Sequence, residues 1–138
     1  MKVAVTRRLA AAPEDVWPWL VEPERHVQTL PGSIREAQIL DNGDIACLVS
    51  AMGANERMVV RVVETDPPRR LVEERVDGTR RGTTVFEVEP DGAGSRVTLT
   101  SDIDLPRLLS AVAKGPVERG LSQQLENLDR LSAGGDAT

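Results

Sequence analysis

Between Ser33 and Leu105 apolar residues recur at every second position, and short polar clusters cut the run into pieces of strand length. Asp41-Asn42-Gly43-Asp44 is the sharpest of these marks, because Asn-Gly accepts the positive φ angles of a tight hairpin turn. Gly53-Ala54-Asn55, Asp66-Pro67-Pro68, Asp77-Gly78 and Pro90-Asp91-Gly92-Ala93-Gly94 divide the rest, which predicts strands over 34–40, 45–52, 56–65, 70–76, 79–89 and 95–105. Strands joined by turns this short pair antiparallel. Met1 to Leu9 alternates loosely through Val3, Val5 and Leu9, so the expected sheet has six strands, or seven with this first one.

The two ends follow a different period. Pro13 suits the first turn of a helix, Glu14 and Asp15 sit where the helix dipole favours anions, and Val16, Trp17, Trp19 and Leu20 supply an apolar face. Pro18 and Pro23 argue for two short helices, about 13–21 and 23–30, closed by Pro31-Gly32. After Pro106, Leu105, Leu108, Leu109 and Val112 fall at helical spacing, and Gly115-Pro116 is expected to break or kink the run. A second stretch, about 116–132, lines up Val117, Leu121, Leu125, Leu128 and Leu131 on one face. Ala133-Gly134-Gly135-Asp136 ends it, and the last few residues are expected to fray. No repeat or linker interrupts the order, which predicts one domain over residues 1–138 of class α+β.

One helix is the only cover such a sheet has. A helix about 10 Å wide cannot fill the concave face of a strongly curved antiparallel sheet, so a space between them is expected. With two Trp, one Phe and no Tyr, the chain has few bulky rings to close that space. The 17 Lys plus Arg against 22 Asp plus Glu give a net charge of −5, the wrong sign for a phosphate-backbone binder, so no nucleic acid is expected. No apolar run is long enough for a membrane span, and one Cys with one His makes neither a disulfide nor a metal site. No metal or cofactor is therefore expected, and Cys47 reads as a buried thiol. The opening segment carries Lys2, Arg7 and Arg8 without an apolar run and does not read as a signal peptide, which makes a cytoplasmic location the expectation.

Four segments carry a family likeness: Ala12-Pro13-Glu14-Asp15-Val16-Trp17, Glu22-Pro23-Glu24-Arg25 with Leu30-Pro31-Gly32, Glu64-Thr65-Asp66-Pro67-Pro68-Arg69-Arg70-Leu71, and Leu121-Ser122-Gln123-Gln124-Leu125-Glu126-Asn127-Leu128. In this order the chain resembles the START and Bet v 1-like (SRPBCC) superfamily, in particular its bacterial polyketide cyclase/dehydrase-like and CoxG-like members. The resemblance implies the helix-grip fold, a curved antiparallel sheet wrapped round a long C-terminal helix, with two short helices after the first strand. It also implies an internal cavity for lipids, hormones, quinones or polyketides, with or without catalysis. The family commonly has an aromatic residue where His26 to Gln28 stands here, and the absence of Tyr counts against a tyrosine-based cyclase mechanism.

Among candidate chemistries, His26 sits among Glu24, Arg25 and Gln28 and reads as a solvated histidine rather than a triad member. Gly92-Ala93-Gly94 precedes a strand, not a helix, so it reads as a turn and not a phosphate loop. The pairs Arg7-Arg8, Arg69-Arg70 and Arg80-Arg81 each split across two sheet faces and read as solvated rims. One cluster invites more. Arg80 shares the inward parity of Thr84, Phe86 and Val88. Across Asp77-Gly78 a two-residue loop puts Glu73 and Arg75 beside it, and a bulged loop puts Glu74 there. The bland reading is a rim salt bridge; the functional one is a polar anchor at one end of an apolar ligand. Met52, Met58, Val60, Val62, Phe86, Val97, Leu99 and Ile103 suit the inner face, with Leu121, Leu125 and Leu128 opposite. The ligand-contact set expected from this is Met52, Met58, Val60, Glu73, Arg80, Phe86, Leu99, Leu121 and Leu125, with no residue assigned to catalysis. Binding or carriage of a hydrophobic small molecule leads, ahead of a polyketide cyclase or dehydratase-like enzyme and of a protein-interaction or maturation factor. A monomer or homodimer fits either of the first two.

Overall fold

The computed structural model describes residues 1–51, 54–78 and 80–135. Strand β1 (Lys2–Leu9) is followed by helices α1 (Pro13–Val21) and α2 (Pro23–Thr29), each opened by a proline whose missing N–H costs nothing in a first turn. Then come β2 (Ile34–Ile39), β3 (Ile45–Ala51), β4 (Ala54–Asp66), β5 (Arg70–Gly78), β6 (Gly82–Asp91) and β7 (Gly94–Ile103). Helix α3 (Arg107–Arg130) ends in a π turn at Leu131–Gly135, where Gly134 takes φ 89°. All seven strands join one antiparallel sheet in the order β1-β7-β6-β5-β4-β3-β2, and α3 packs against β1 and β7. This is the helix-grip arrangement expected of the sequence.

The turns explain the register. At the β2–β3 hairpin Gly43 takes φ 89° and its N–H donates to the carbonyl of Leu40 at 2.9 Å. At the β6–β7 hairpin Asp91 pairs with Gly94, leaving Gly92 and Ala93 as the two loop residues, with Gly92 at φ 61°. Gly94 is needed for a different reason. A Cβ there would collide with the carbonyl oxygen of Leu9 and crowd that of Ala10, both belonging to backbone that cannot swing aside. Gly94→Ala is therefore expected to lower stability by about 1–3 kcal/mol, the usual cost of overpacking, in urea unfolding of the purified chain.

Three expectations are corrected. Asp77-Gly78 is not a hairpin turn: Asp77 and Gly78 stay in β5, paired with Val59 and Met58 of β4, and the reversal into β6 falls later. Gly78 permits this with φ 137° and with space for no more than hydrogen beside the Arg57 carbonyl, 2.9 Å from where a Cβ would be. Second, of the break or kink expected at Gly115-Pro116 the break does not occur, since α3 continues through Pro116 as one helix. The carbonyl that Pro116 leaves without a donor belongs to Val112, which is 59% exposed and open to water. Third, the apolar face expected over 105–112 is not buried. Leu108 is 88% exposed, and in this half of α3 the buried residue is Ala113. Met52, the Gly53 turn, Thr79 and the expected fraying over 136–138 lie outside the described residues.

The packed core occupies the part of the sheet on which the second half of α3 lies. Leu9, Val16, Leu20, Leu71, Phe86, Val97 and Leu99 meet Leu125, Leu128 and Leu131 there. Ser95 Oγ donates to the Ala11 carbonyl at 2.7 Å, tying the β1–α1 corner to β7. No helix among the described residues is long and apolar enough to cross a membrane.

Candidate functional site

Beyond the core, under the first half of α3, the sheet and helix separate. The space is a cavity of about 220 Å³ bounded by β2 to β7, the α2–β2 connection and α3. An apolar cavity of about 150 Å³ is large enough for benzene, so this one has room for more than a single ring. Ile34, Val49, Met58, Val60, Ile103, Val117 and Leu121 form its apolar walls. Glu56, Glu73, Arg75, Arg80, Ser101 and Gln124 bring polar groups to the same space.

Alternation along β5 decides which charges face inward. Glu73 and Arg75 are partly buried, whereas Glu74 and Val76 are exposed, although Glu74 still reaches the cavity margin. In register, Val62 stands opposite Glu73 and Val60 opposite Arg75. Val62, expected inside, is 42% exposed, because β4 runs past the end of its pairing with β3 at Val60 and bulges between Val62 and Glu64.

Arg80 lies in the β5–β6 connection and not in a strand, so its partner is not the glutamate expected from strand parity. Its Nε donates to Glu56 Oε1 on β4 at 3.3 Å. Neither Glu73 nor Glu74 pairs with it. Glu73 is engaged elsewhere, by a residue the sequence placed in solvent.

His26 is 3% exposed and sits between α1 and the sheet. Its Nδ1 is 3.3 Å from the Trp19 carbonyl, which can only accept, so Nδ1 carries a proton. Nε2 stands 3.4 Å from Glu73 Oε2, at ion-pair distance but off the line a directed hydrogen bond needs. Burial pulls the imidazole pKa down; the Glu73 carboxylate and the Trp19 carbonyl pull it up and together prevail, leaving it above its ordinary value. The ring also meets Phe86 edge-on, centroids 5.5 Å apart at 73°. Helix α2 is fixed over this spot from below and above. Thr29 Oγ1 donates to the His26 carbonyl at 2.7 Å and accepts from Gln124 Nε2 of α3 at 3.3 Å. Asn127 Nδ2 donates to the carbonyls of Thr29 and Leu30 at 3.2 and 3.3 Å. Arg25 covers the Trp19 ring at 5.0 Å.

Cys47 is buried beside the same cluster. Burial pushes its thiol up to about 11, with Arg75 opposing and Glu73 adding to the rise, so it stays protonated and is no nucleophile at neutral pH. No group of three or more His, Cys, Asp or Glu side chains able to hold a metal ion occurs among the described residues.

Of the ligand-contact residues read from sequence, Met58, Val60, Glu73, Arg80 and Leu121 border the cavity. Phe86, Leu99 and Leu125 stand instead in the packed core, where α3 lies directly on the sheet and leaves no gap. Met52 is outside the described residues. Sequence reasoning missed His26, Glu56 as the partner of Arg80, and the separate position of Arg75. A lone polar residue between two Pro-started helices carries no signal of which way its face will turn.

The chain matches the model of the family described as "Polyketide cyclase / dehydrase and lipid transport" over residues 1–133. Among curated proteins none matches. Solved structures similar to it include TTHA0849 from Thermus thermophilus, 19% identical with a TM-score of 0.80 over 98% of this chain and 99% of that one. A START superfamily protein from Mycobacterium smegmatis is 17% identical with a TM-score of 0.75, over 94% and 97% of the two chains. A Thalictrum flavum norcoclaurine synthase point mutant, in complex with a transition state analogue, is 13% identical with a TM-score of 0.76, over 99% and 96%. At these identities the likeness establishes the fold.

Proposed function

The chain belongs to the polyketide cyclase / dehydrase and lipid transport family, and on that footing we propose that it binds and carries a hydrophobic small molecule of lipid, quinone or polyketide-like character. The observation that carries this reading is the cavity of about 220 Å³, apolar on most of its walls and charged at one part of them. Specific small-molecule sites are built this way, with apolar area for affinity and a few polar groups for orientation. The tasks in the family description share the same requirement, a dry space for a mostly apolar chain or ring.

A second reading has one observation in its favour. Glu73 borders the cavity with buried His26 directly behind it, 3.4 Å away. A cavity-facing carboxylate can pass a proton to or from a bound carbonyl compound, as a cyclase or dehydratase requires, with the imidazole behind it to balance its charge.

The test is a titration of the full chain with a medium-chain fatty acid, a naphthoquinone and a polycyclic aromatic, followed by calorimetry and native mass spectrometry. At least one binder of roughly micromolar Kd is expected. Silence across the panel, together with unliganded protein from its own host, would sink the carriage reading. Turnover of an aromatic-precursor polyketide, abolished in Glu73→Gln with binding retained, would move the conclusion to the enzyme.

A further inference from the structure

The charged groups around the cavity are not equivalent. Arg80 is neutralised by Glu56 at 3.3 Å, and Glu73 faces His26 at 3.4 Å. Arg75 stands apart: it has no hydrogen bond or ion pair with any side chain among the described residues, although it lines the same cavity. Its stem lies against Gly82. A Cβ at Gly82 would lie 3.3 Å from Arg75 Cδ and 3.4 Å from Nε, so the bare glycine is what lets the arginine stem lie across β6. On the other side it is in register with Val60, one of the apolar wall residues. A guanidinium so held, partly out of water and with no carboxylate at hydrogen-bond or ion-pair distance among the described residues, is suited to receive an anion. Its planar fork matches a carboxylate with two parallel hydrogen bonds.

We propose that Arg75 is the anion anchor of the cavity, so that the preferred guest is a hydrophobic carboxylic acid bound as its carboxylate, head on Arg75 and apolar body against Met58, Val60 and Leu121. This rests on the reading that the cavity carries a small molecule, and names the class of that molecule. Glu56 also acts on Arg75 through space, but its carboxylate is held at 3.3 Å by Arg80, and Glu73 stands 3.4 Å from His26, so neither occupies the Arg75 fork. Burial, with Arg80 nearby, lowers the pKa of Arg75, while Glu56 and Cys47 raise it; a bound carboxylate removes the cost of that burial.

The probe pair is decanoate and decan-1-ol, the same apolar body with and without the charge, titrated near neutral pH into the full chain and into Arg75→Gln and Arg75→Lys. Wild type is expected to hold decanoate roughly 10- to 150-fold more tightly than decan-1-ol, the ratio a charge-assisted hydrogen bond supports. Arg75→Gln is expected to bring the ratio to about one with decan-1-ol affinity kept, and Arg75→Lys to retain part of it. A wild-type ratio near one, or a preference that survives Arg75→Gln, overturns the anchor while leaving the carriage reading intact. Binding of neither probe to the wild type counts against both. The wild-type ratio and Arg75→Lys decide the matter even if Arg75→Gln does not fold.

Discussion

Phe86→Ala is expected to lower the unfolding free energy by about 3–5 kcal/mol in a denaturant titration. Phe86 is the one phenylalanine of the sequence and 1% exposed. It lies in register between Leu71 on β5 and Leu99 on β7, so its ring is the middle plate of a three-strand stack. Its edge contact with His26 also holds the imidazole against the sheet. Removing the ring takes away apolar burial and leaves a void between backbones that the ladder keeps at fixed spacing, so little collapse can repair it. A loss under about 1 kcal/mol would mean that the neighbours close the gap and that the core is softer than the packing implies.

The second large effect is a change of sign. With the folded-state pKa of His26 above the unfolded value of about 6.5, folding takes up a proton. The stability this supplies is complete below about 6.5 and is lost as pH rises through the folded value. In Glu73→Gln the carboxylate influence disappears, and burial, the largest single influence, is opposed only by the Trp19 carbonyl. The folded pKa then drops below the unfolded one, and stability is lost as pH falls from about 6.5 instead. Among the described residues the groups that face His26 are Glu73 from β5, the uncharged Phe86 ring from β6 and the Trp19 carbonyl from α1, and Glu73 is the one charge among them. At acid pH the loss is bounded by the roughly 3–5 kcal/mol that an unpaired buried charge costs. Unfolding of both proteins across the neutral range, with the imidazole followed by NMR, reads the slope; slopes of equal sign would show that Glu73 does not govern His26.

The local chemistry of the chain carries most of its architecture. Asn42-Gly43, Pro13 and Pro23 each act through their own backbone restrictions, and the elements they bound are where those restrictions put them. Asp77-Gly78 failed as a signal because the same glycine freedom that makes a turn also permits a strand residue to crowd a neighbouring carbonyl, as Gly78 does beside Arg57. Proline at 116 did not end the helix because the carbonyl it orphans belongs to an exposed residue, where water can replace the missing donor. The candidate site was legible in its apolar walls, Met58, Val60 and Leu121, where alternation and helical spacing suffice. Its charges were not, since pairing Arg80 with Glu56 or His26 with Glu73 takes elements 24 and 47 residues apart, and nothing in local pattern fixes how such elements meet.

Helix α3 is a single helix with two unequal halves. Leu121, Gln124, Leu125 and Leu128 bury its second half, while Leu108 and Val112 of its first half face water above the cavity. That first half therefore has less apolar burial holding it to the sheet than the second, and local opening there is expected to cost less than unfolding the chain. For a guest lodged beneath it, residence time and melting temperature become separate quantities. Substitutions over residues 107–117 would change how long the guest stays, and those at Leu125, Leu128 and Leu131, which pack in the core, how much heat the protein withstands.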